Sequence, residues 1–438
     1  MKEVFGNAKK KNKKSQTMKI SRKTFFSNSL GVISLSLLTP FSAEASEPLN
    51  PLTLSPTGID PLPTWSFPDL TLTIKSPVII RSVELLKTQG QLMVVVTSND
   101  GVKGIAQCND RMQHLTSLLK GLVIPHFTGK DARILPILVD NAYRLNSNYK
   151  YSGMPLWNCI GSVEIAVWDL LGKVAEKPTH ELLGKAVRKD YGVYISDFNR
   201  EGDPEKIVDQ LLAKLEATGA MGVKIKIGGR MSNSPDNAAQ TKRYVPALRK
   251  KLGDKVTIYA DANGSYTPNE GIEAGRLLQD YGVEIFEEPC NFEDEEGMRK
   301  VNKSLKKLKL AGGEQDSSLY RFRRLAQTNV YDILQPDVYY NGGILRTLQV
   351  SVIANRYGSK TVAPHTPKAD PLIGPFWQVV ALIPNLYGLQ EFVYNPEDKT
   401  PTWHSEIKVV NGMMPIPSRH GVGIDYDDKI WASSEKII

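Results

Sequence analysis

Three short runs decide the fold: Val256-Thr-Ile-Tyr-Ala-Asp261, Val283-Glu-Ile-Phe-Glu287 and Lys309-Leu-Ala-Gly-Gly-Glu314. Each is short and β-rich, each closes on a carboxylate, and each is followed by a longer amphipathic stretch. Working outward, residues 191–196, 223–227, 332–337, 361–365 and 387–391 share this texture. Strand-like runs separated by helical ones make βαβ units and a parallel sheet. Eight such units predict a closed barrel.

The ends of these runs carry the chemistry. Seven of the eight finish on, or one residue short of, an ionisable side chain: Lys226, Asp261, Glu287, Glu314, Asp337, His365 and Glu391. From Asp261 onward the spacings are 26, 27, 23, 28 and 26 residues, about one βα unit each. Strand interiors in a parallel barrel are buried, so a charge there is costly unless it is paired or bound to a metal. In-phase placement at the C-terminal ends of successive strands brings these groups together at the barrel mouth, where barrel active sites lie.

The residue types suggest roles. Asp261, Glu287 and Glu314 come from adjacent runs and form a hard oxygen site suited to Mg²⁺. Lys224 and Lys226, at i and i+2, share one strand face, and each is expected to depress the pKa of the other. Asp337 and His365 come from neighbouring runs, and a carboxylate beside an imidazole fixes its tautomer and raises its basicity. A Lys-x-Lys alone is ordinarily a solvated face, and a lone His is ordinarily a satisfied core residue. Both gain meaning from the carboxylate cluster between them.

Taken together, Val223-Lys-Ile-Lys226, Asp261-Ala-Asn263, Glu287-Glu-Pro289, Gly313-Glu314, Gln335-Pro-Asp337 with Asn341-Gly-Gly343, Pro364-His365 and Gln390-Glu391 resemble the enolase superfamily, mandelate racemase subgroup, over residues 70–430. That superfamily is a standard example of a Lys or His base acting with Mg²⁺-stabilised enediolates, so this part of the expectation arrives with the resemblance. The resemblance implies an α/β fold, a (β/α)₇β TIM-type barrel with an N-terminal α+β capping domain. It implies Mg²⁺ on Asp261, Glu287 and Glu314. Lys226, tuned by Lys224, would be one acid/base, and His365, paired with Asp337, the other. Glu391 would hydrogen-bond the substrate carboxylate, with Asn263 assisting. A homo-oligomer is also implied. Two departures accompany these motifs: Cys290 directly follows Glu287-Glu-Pro289, and Gln315-Asp316 follow Glu314, each able to line the pocket or merely pack.

The expected domains are a capping domain over residues 69–188, a barrel over 189–410, and a C-terminal segment, 411–438, packing on the capping domain. Residues 70–75 and 78–86 alternate like strands. Residues 92–97 and 102–106, joined by Asn99-Asp100-Gly101, read as a hairpin. Specificity loops are expected near residues 88–91 and 146–152. The second is polar and favours a hydroxylated substrate.

Residues 1–45 read as an export signal, and 46–68 as a linker rich in Pro and Ser. A basic stretch precedes the apolar run Leu30–Leu38, and Ala43-Glu-Ala45 forms a small-x-small cleavage site. Ser21-Arg22-Lys23 is twin-arginine-like. Periplasmic or secreted placement follows, with no membrane span, because the run is shorter than the roughly 20 apolar residues a bilayer needs. This segment carries nine basic and two acidic residues, so the body retains +1 of the total +8. That argues against a nucleic-acid surface, which needs clustered basic residues. Three separated cysteines give neither a disulfide framework nor a zinc motif.

The expected partner is a small-molecule carboxylate. The expected reaction is abstraction of its α-proton through a metal-stabilised enediolate. Dehydration of a sugar acid to a 2-keto-3-deoxy acid is favoured. Racemisation or epimerisation and cycloisomerisation are alternatives, and a catalytically inactive sugar-acid binder is a remote one.

Overall fold

The structure is a computed structural model that describes residues 62–358, 360–366, 372–394, 403–406 and 408–438. The expected export segment and residues 46–61 of the expected linker lie outside the described residues. Among the described residues no helix is long and apolar enough to cross a membrane.

Three antiparallel strands form the first sheet: β1 (Ile80–Thr88), β2 (Gln91–Ser98) and β3 (Lys103–Gln107). The β2–β3 hairpin turns where Asp100-Gly101 predicts it, with Gly101 at φ +86°. Residues 70–75 are not a strand. Leu70–Thr73 form one helical turn, because the Asp69 carboxylate accepts hydrogen bonds from the Thr71 N–H and hydroxyl at 2.9 and 2.7 Å. Local capping overrides the alternating pattern there.

Eight parallel strands follow: β4 (Asp190–Ser196), β5 (Gly222–Lys226), β6 (Thr257–Asp261), β7 (Ile285–Glu287), β8 (Lys309–Gly312), β9 (Ile333–Leu334), β10 (Thr361–Val362) and β11 (Gln390–Phe392). They run in the order β10-β9-β8-β7-β6-β5-β4-β11. The ring closes where the Val362 N–H donates to the Asn385 carbonyl and the Tyr387 N–H donates to the Val362 carbonyl, both at 2.9 Å. Among the described residues seven helices, from Pro204–Thr218 to Ile373–Val380, alternate with the eight strands, giving the expected (β/α)₇β order. Their starts are written in the sequence. Ser234 with Asn237, and Thr267 with Glu270, form reciprocal capping boxes, each with proline in the first turn.

Register aligns the strand ends. Lys226 lies opposite Asp261, Asp261 opposite Glu287, and Asp337 bridges His365. The tail is shared: Met413–Pro415 pairs with β4 of the barrel, and Glu435–Lys436 pairs with β1 of the capping sheet.

The Met154–Val174 helix joins the layers. It is buried from Leu156 to Gly172, as a helix apolar on most sides must be. Its two buried acids are spent on backbone. Glu164 accepts from the N–H groups of Ile344 (3.0 Å) and Leu345 (2.9 Å), which open the Ile344–Gly358 helix, and from the Trp168 indole at 2.8 Å. Asp169 accepts from the Ile105 and Val422 N–H groups at 2.9 and 3.0 Å, and from Lys173 at 2.6 Å. Glycine is required at 343, where φ is +103° and a Cβ would lie 2.2 Å from a Glu164 oxygen.

Candidate active site

The C-terminal ends of the barrel strands enclose a cavity of about 480 Å³. Lys226, Asn263, Glu314 and His365 line it. Lys224, Asp261, Glu287, Asp337 and Glu391 lie buried close beneath, each at most 3 % exposed.

Two ion-paired lysines stand on β5. Lys224 Nζ is 3.0 Å from Glu287 Oε2 and 3.2 Å from Glu391 Oε1. Lys226 pairs with Asp261 and donates to Asn263 Oδ1 at 3.2 Å. The expectation that Lys224 is depressed by its neighbour is corrected here. Burial alone lowers it, but Glu287 and Glu391 outweigh that and raise it well above the ordinary lysine value. Sequence spacing placed the two ammonium groups side by side without showing that each has its own carboxylate.

On the far wall, His365 Nδ1 meets Asp337 Oδ2 at 2.8 Å, and its Nε2 meets Glu314 Oε2 at 2.8 Å. The second Asp337 oxygen accepts from the Tyr339 and Tyr340 N–H groups, both at 2.8 Å. Burial pushes the imidazole down, yet Glu314 and Asp337 prevail and hold its pKa well above the usual histidine value. Glu391 Oε2 is 3.9 Å from His365 Nε2. Burial raises Glu391, but Lys224 and His365 bring it below the ordinary value.

The acids between these walls act on one another. Burial and the charge of Asp261 raise Glu287. Burial also pushes Asp261 and Glu314 up, but Lys226 and His365 respectively overcome it and hold both low. Donor atoms of Glu287, Glu314 and His365 lie within 4.8 Å of one another, whereas Asp261 reaches Lys226. Asp261 and Glu287 nevertheless share one register level on adjacent strands. Buried, mutually repelling carboxylates balanced only by lysine and histidine fit a hard divalent cation.

Several site residues were not read from the sequence. Glu288 lines the cavity, is 2 % exposed and has an oxygen without a hydrogen-bond partner. Burial, then Glu314, Asp261 and Glu287, raise it well above the usual carboxylate range. The doubled acid of Glu287-Glu288 was a visible signal, but alternation sends every second strand residue outward, and only the positive φ of Glu288 (+40°) departs from that pattern. Gln335, two residues from Asp337, donates to Glu287 at 3.0 Å. Arg200 donates to Asn263, and nothing in its surroundings in sequence signals this.

The expected specificity loops are corrected too. Residues 88–91 make a two-residue hairpin turn with Gln89 and Gly90 at positive φ, and none of them lines the cavity. Residues 146–152 are tied to neighbouring segments, with Asn148 donating to the Leu122 and Ala142 carbonyls, and none of them lines the cavity. From the capping region Arg111 lines the cavity instead. Gln315 lines it as well, while Asp316 pairs with Arg321 and Cys290 is buried outside it, its thiol pushed up to about 12 by burial.

Comparison with known proteins places this geometry. Residues 206–430 match the model of the enolase C-terminal domain-like family, and residues 70–184 match the mandelate racemase / muconate lactonizing enzyme N-terminal domain. An arabinonate dehydratase of Saccharolobus solfataricus is 26% identical over 344 residues, covering 77% of this chain and 88% of its own. A D-galactarolactone cycloisomerase of Agrobacterium fabrum is 24% identical, over 77% of this chain and 89% of its own. Among solved structures, the 3,6-anhydro-D-galactonate cycloisomerase of Zobellia galactanivorans superposes with a TM-score of 0.71 at 25% identity, covering 82% of this chain and all of its own. A Paracoccus denitrificans mandelate racemase/muconate lactonizing protein complexed with magnesium superposes at 0.75 with 24% identity, covering 82% of this chain and 99% of its own. The curated relatives are a lyase and an isomerase, the two enzyme classes expected from the sequence. With both of its domains matched, the chain belongs to the mandelate racemase / muconate lactonizing enzyme family of the enolase superfamily.

Proposed function

We propose that the protein dehydrates a sugar acid to a 2-keto-3-deoxy acid, with Mg²⁺ held by Asp261, Glu287 and Glu314. The observation that carries this reading is the placement of Lys226 and His365 on opposite sides of a buried carboxylate cluster, both facing one cavity. When bound, the cation supplies positive charge to the substrate carboxylate as the α-carbon becomes more acidic.

The chain's own residues do the rest. Lys226 removes the α-proton. Asp337 holds Nδ1 of His365, so Nε2 is the atom that delivers a proton to the departing β-hydroxyl. Lys224, anchored between Glu287 and Glu391, adds positive charge beneath the substrate carboxylate as the enediolate forms. With a second carboxylate brought beside it Glu391 takes up a proton and donates a hydrogen bond to the substrate there, and Asn263, fixed by Arg200 and Lys226, orients it. The names of the relatives favour dehydration over the other outcomes of a two-base site.

The test is a panel of sugar acids with Mg²⁺ in D₂O, scored together for 2-keto product and for deuterium in recovered substrate. Keto acid is expected. Deuterium uptake without keto acid indicates a racemase or epimerase. Neither signal with any acid overturns the proposal.

A further inference from the structure

The cavity holds more positive charge than the reacting end uses. Lys224, Lys226 and His365 each have a buried carboxylate partner. Two further cations, Arg111 and Arg230, line the same cavity. Among the described residues neither has a carboxylate within ion-pair distance.

Both residues are exposed, and of the two only the Arg111 guanidinium has a side-chain partner among the described residues. Asn109 Oδ1 accepts from the Arg111 N–H at 3.1 Å, fixing its turn. The Arg111 guanidinium lies 4.8 Å from the Tyr340 ring centre and donates to the Tyr340 hydroxyl, leaving its other N–H groups unengaged. Arg230 follows a loop whose carbonyls at Ile227 and Gly229 each accept from Arg200 at 2.7 Å. Neither arginine is needed to balance an acid of the protein. A guanidinium presents a rigid fork of donors that matches carboxylate or phosphate oxygens. Two without counter-ions in one cavity concentrate anions there.

We propose that Arg111 and Arg230 form a subsite for a second anionic group, so that the substrate is a sugar acid charged at both ends, a dicarboxylate or a phosphorylated acid. This rests on the sugar-acid reading above. One anion sits over the Asp261, Glu287 and Glu314 cluster, and the other is met by the capping-region arginine and the loop after β5. A neutral terminal hydroxyl would leave both guanidinium groups unmatched.

The test measures binding, so it does not depend on turnover. The Mg²⁺-loaded Lys226→Met protein is titrated calorimetrically, at fixed free Mg²⁺, with glucarate, galactarate, gluconate, galactonate and 6-phosphogluconate. The expected result is at least one dianion bound about 10-fold or more tighter than its monoanionic counterpart, a preference of the size one charge-assisted contact gives. A preference for 6-phosphogluconate identifies a phosphate site, and one for an aldarate identifies a carboxylate site. Arg111→Gln and Arg230→Gln are each expected to cut the dianion-to-monoanion ratio severalfold, with melting curves checking that both fold. Equal binding of dianions and monoanions, or a ratio unmoved in both variants, overturns the subsite. If no acid in the panel yields keto acid or exchanges its α-proton, the reaction proposed above fails, and the binding ratio still decides whether the second anion is recognised.

Discussion

Asp337 Oδ2 lies 2.8 Å from His365 Nδ1, while its other oxygen accepts two backbone N–H groups at 2.8 Å, so one buried carboxylate fixes both its own orientation and the ring's. Asp337 is a positioning residue: it acts on substrate through the imidazole. Asp337→Asn keeps the shape but offers an amide N–H to one of these donors. The expected outcome is a fall in kcat of about 10–100-fold, the usual size of an orienting-partner effect, with KM changed far less. Steady-state kinetics on the turned-over acid checks it. An equal effect on KM and kcat would mean that Asp337 supports binding rather than proton transfer.

The two bases separate by isotope. Lys226 and His365 stand on β5 and just beyond β10, on opposite walls of the cavity. In D₂O, His365→Asn is expected to exchange the α-proton through Lys226 yet make little 2-keto acid. Lys226→Met should do neither. Each loss is expected to be about 10²–10⁴-fold in turnover, the range of a general acid or base. Near-normal turnover by both variants would end the two-base assignment.

Most of the barrel and its site were legible because burial penalises charge. Asp261, Glu287 and Glu314 stand out in apolar runs, and a parallel sheet of even βα units turns that linear phase into a ring. What sequence could not give depends on docking. Arg111 reaches the cavity only because the capping layer packs on the barrel mouth, and nothing near it in sequence marks that approach. Lys224 and Lys226 were placed on the correct face, but their partners Glu287 and Asp261 follow from register across β5, β6 and β7. Residues 70–75 misled because Asp69, a single capping side chain, outweighs a short alternating pattern.

Metal binding is readable without turnover. Asp261, Glu287 and Glu314 are buried and close enough to shift one another's pKa. A cation that binds the folded form alone raises stability by about 2.7 kcal/mol at a hundredfold excess over its Kd. Mg²⁺ is therefore expected to raise the melting temperature of chelator-stripped protein by several degrees. Glu314→Gln should lose most of that rise, and chelation should abolish turnover until Mg²⁺ returns. An unchanged melting temperature at saturating Mg²⁺ would remove the metal from these residues.

Glu164 gives the fold a pH dependence of its own. Burial pushes its carboxyl up to about 8, against the three hydrogen bonds it accepts, from an unfolded value near 4.5. The sign follows from which state holds the proton. Below about pH 4.5 both states are protonated, and the contribution of Glu164 is complete. As pH rises toward 8 the unfolded chain releases its proton while the folded one keeps it, so stability declines across that window and is lost above it. Glu164→Gln keeps the shape without the titration, but its amide leaves one of the Ile344, Leu345 or Trp168 donors unmet, at a cost of about 1–3 kcal/mol. The variant is therefore expected to be less stable than wild type at pH 5.5. The gap should narrow by more than about 1 kcal/mol by pH 8.5, since one unit of pKa shift corresponds to ~1.4 kcal/mol. Urea midpoints of both proteins across that range provide the check, and a gap that stays constant with pH would show that the proton is not held there.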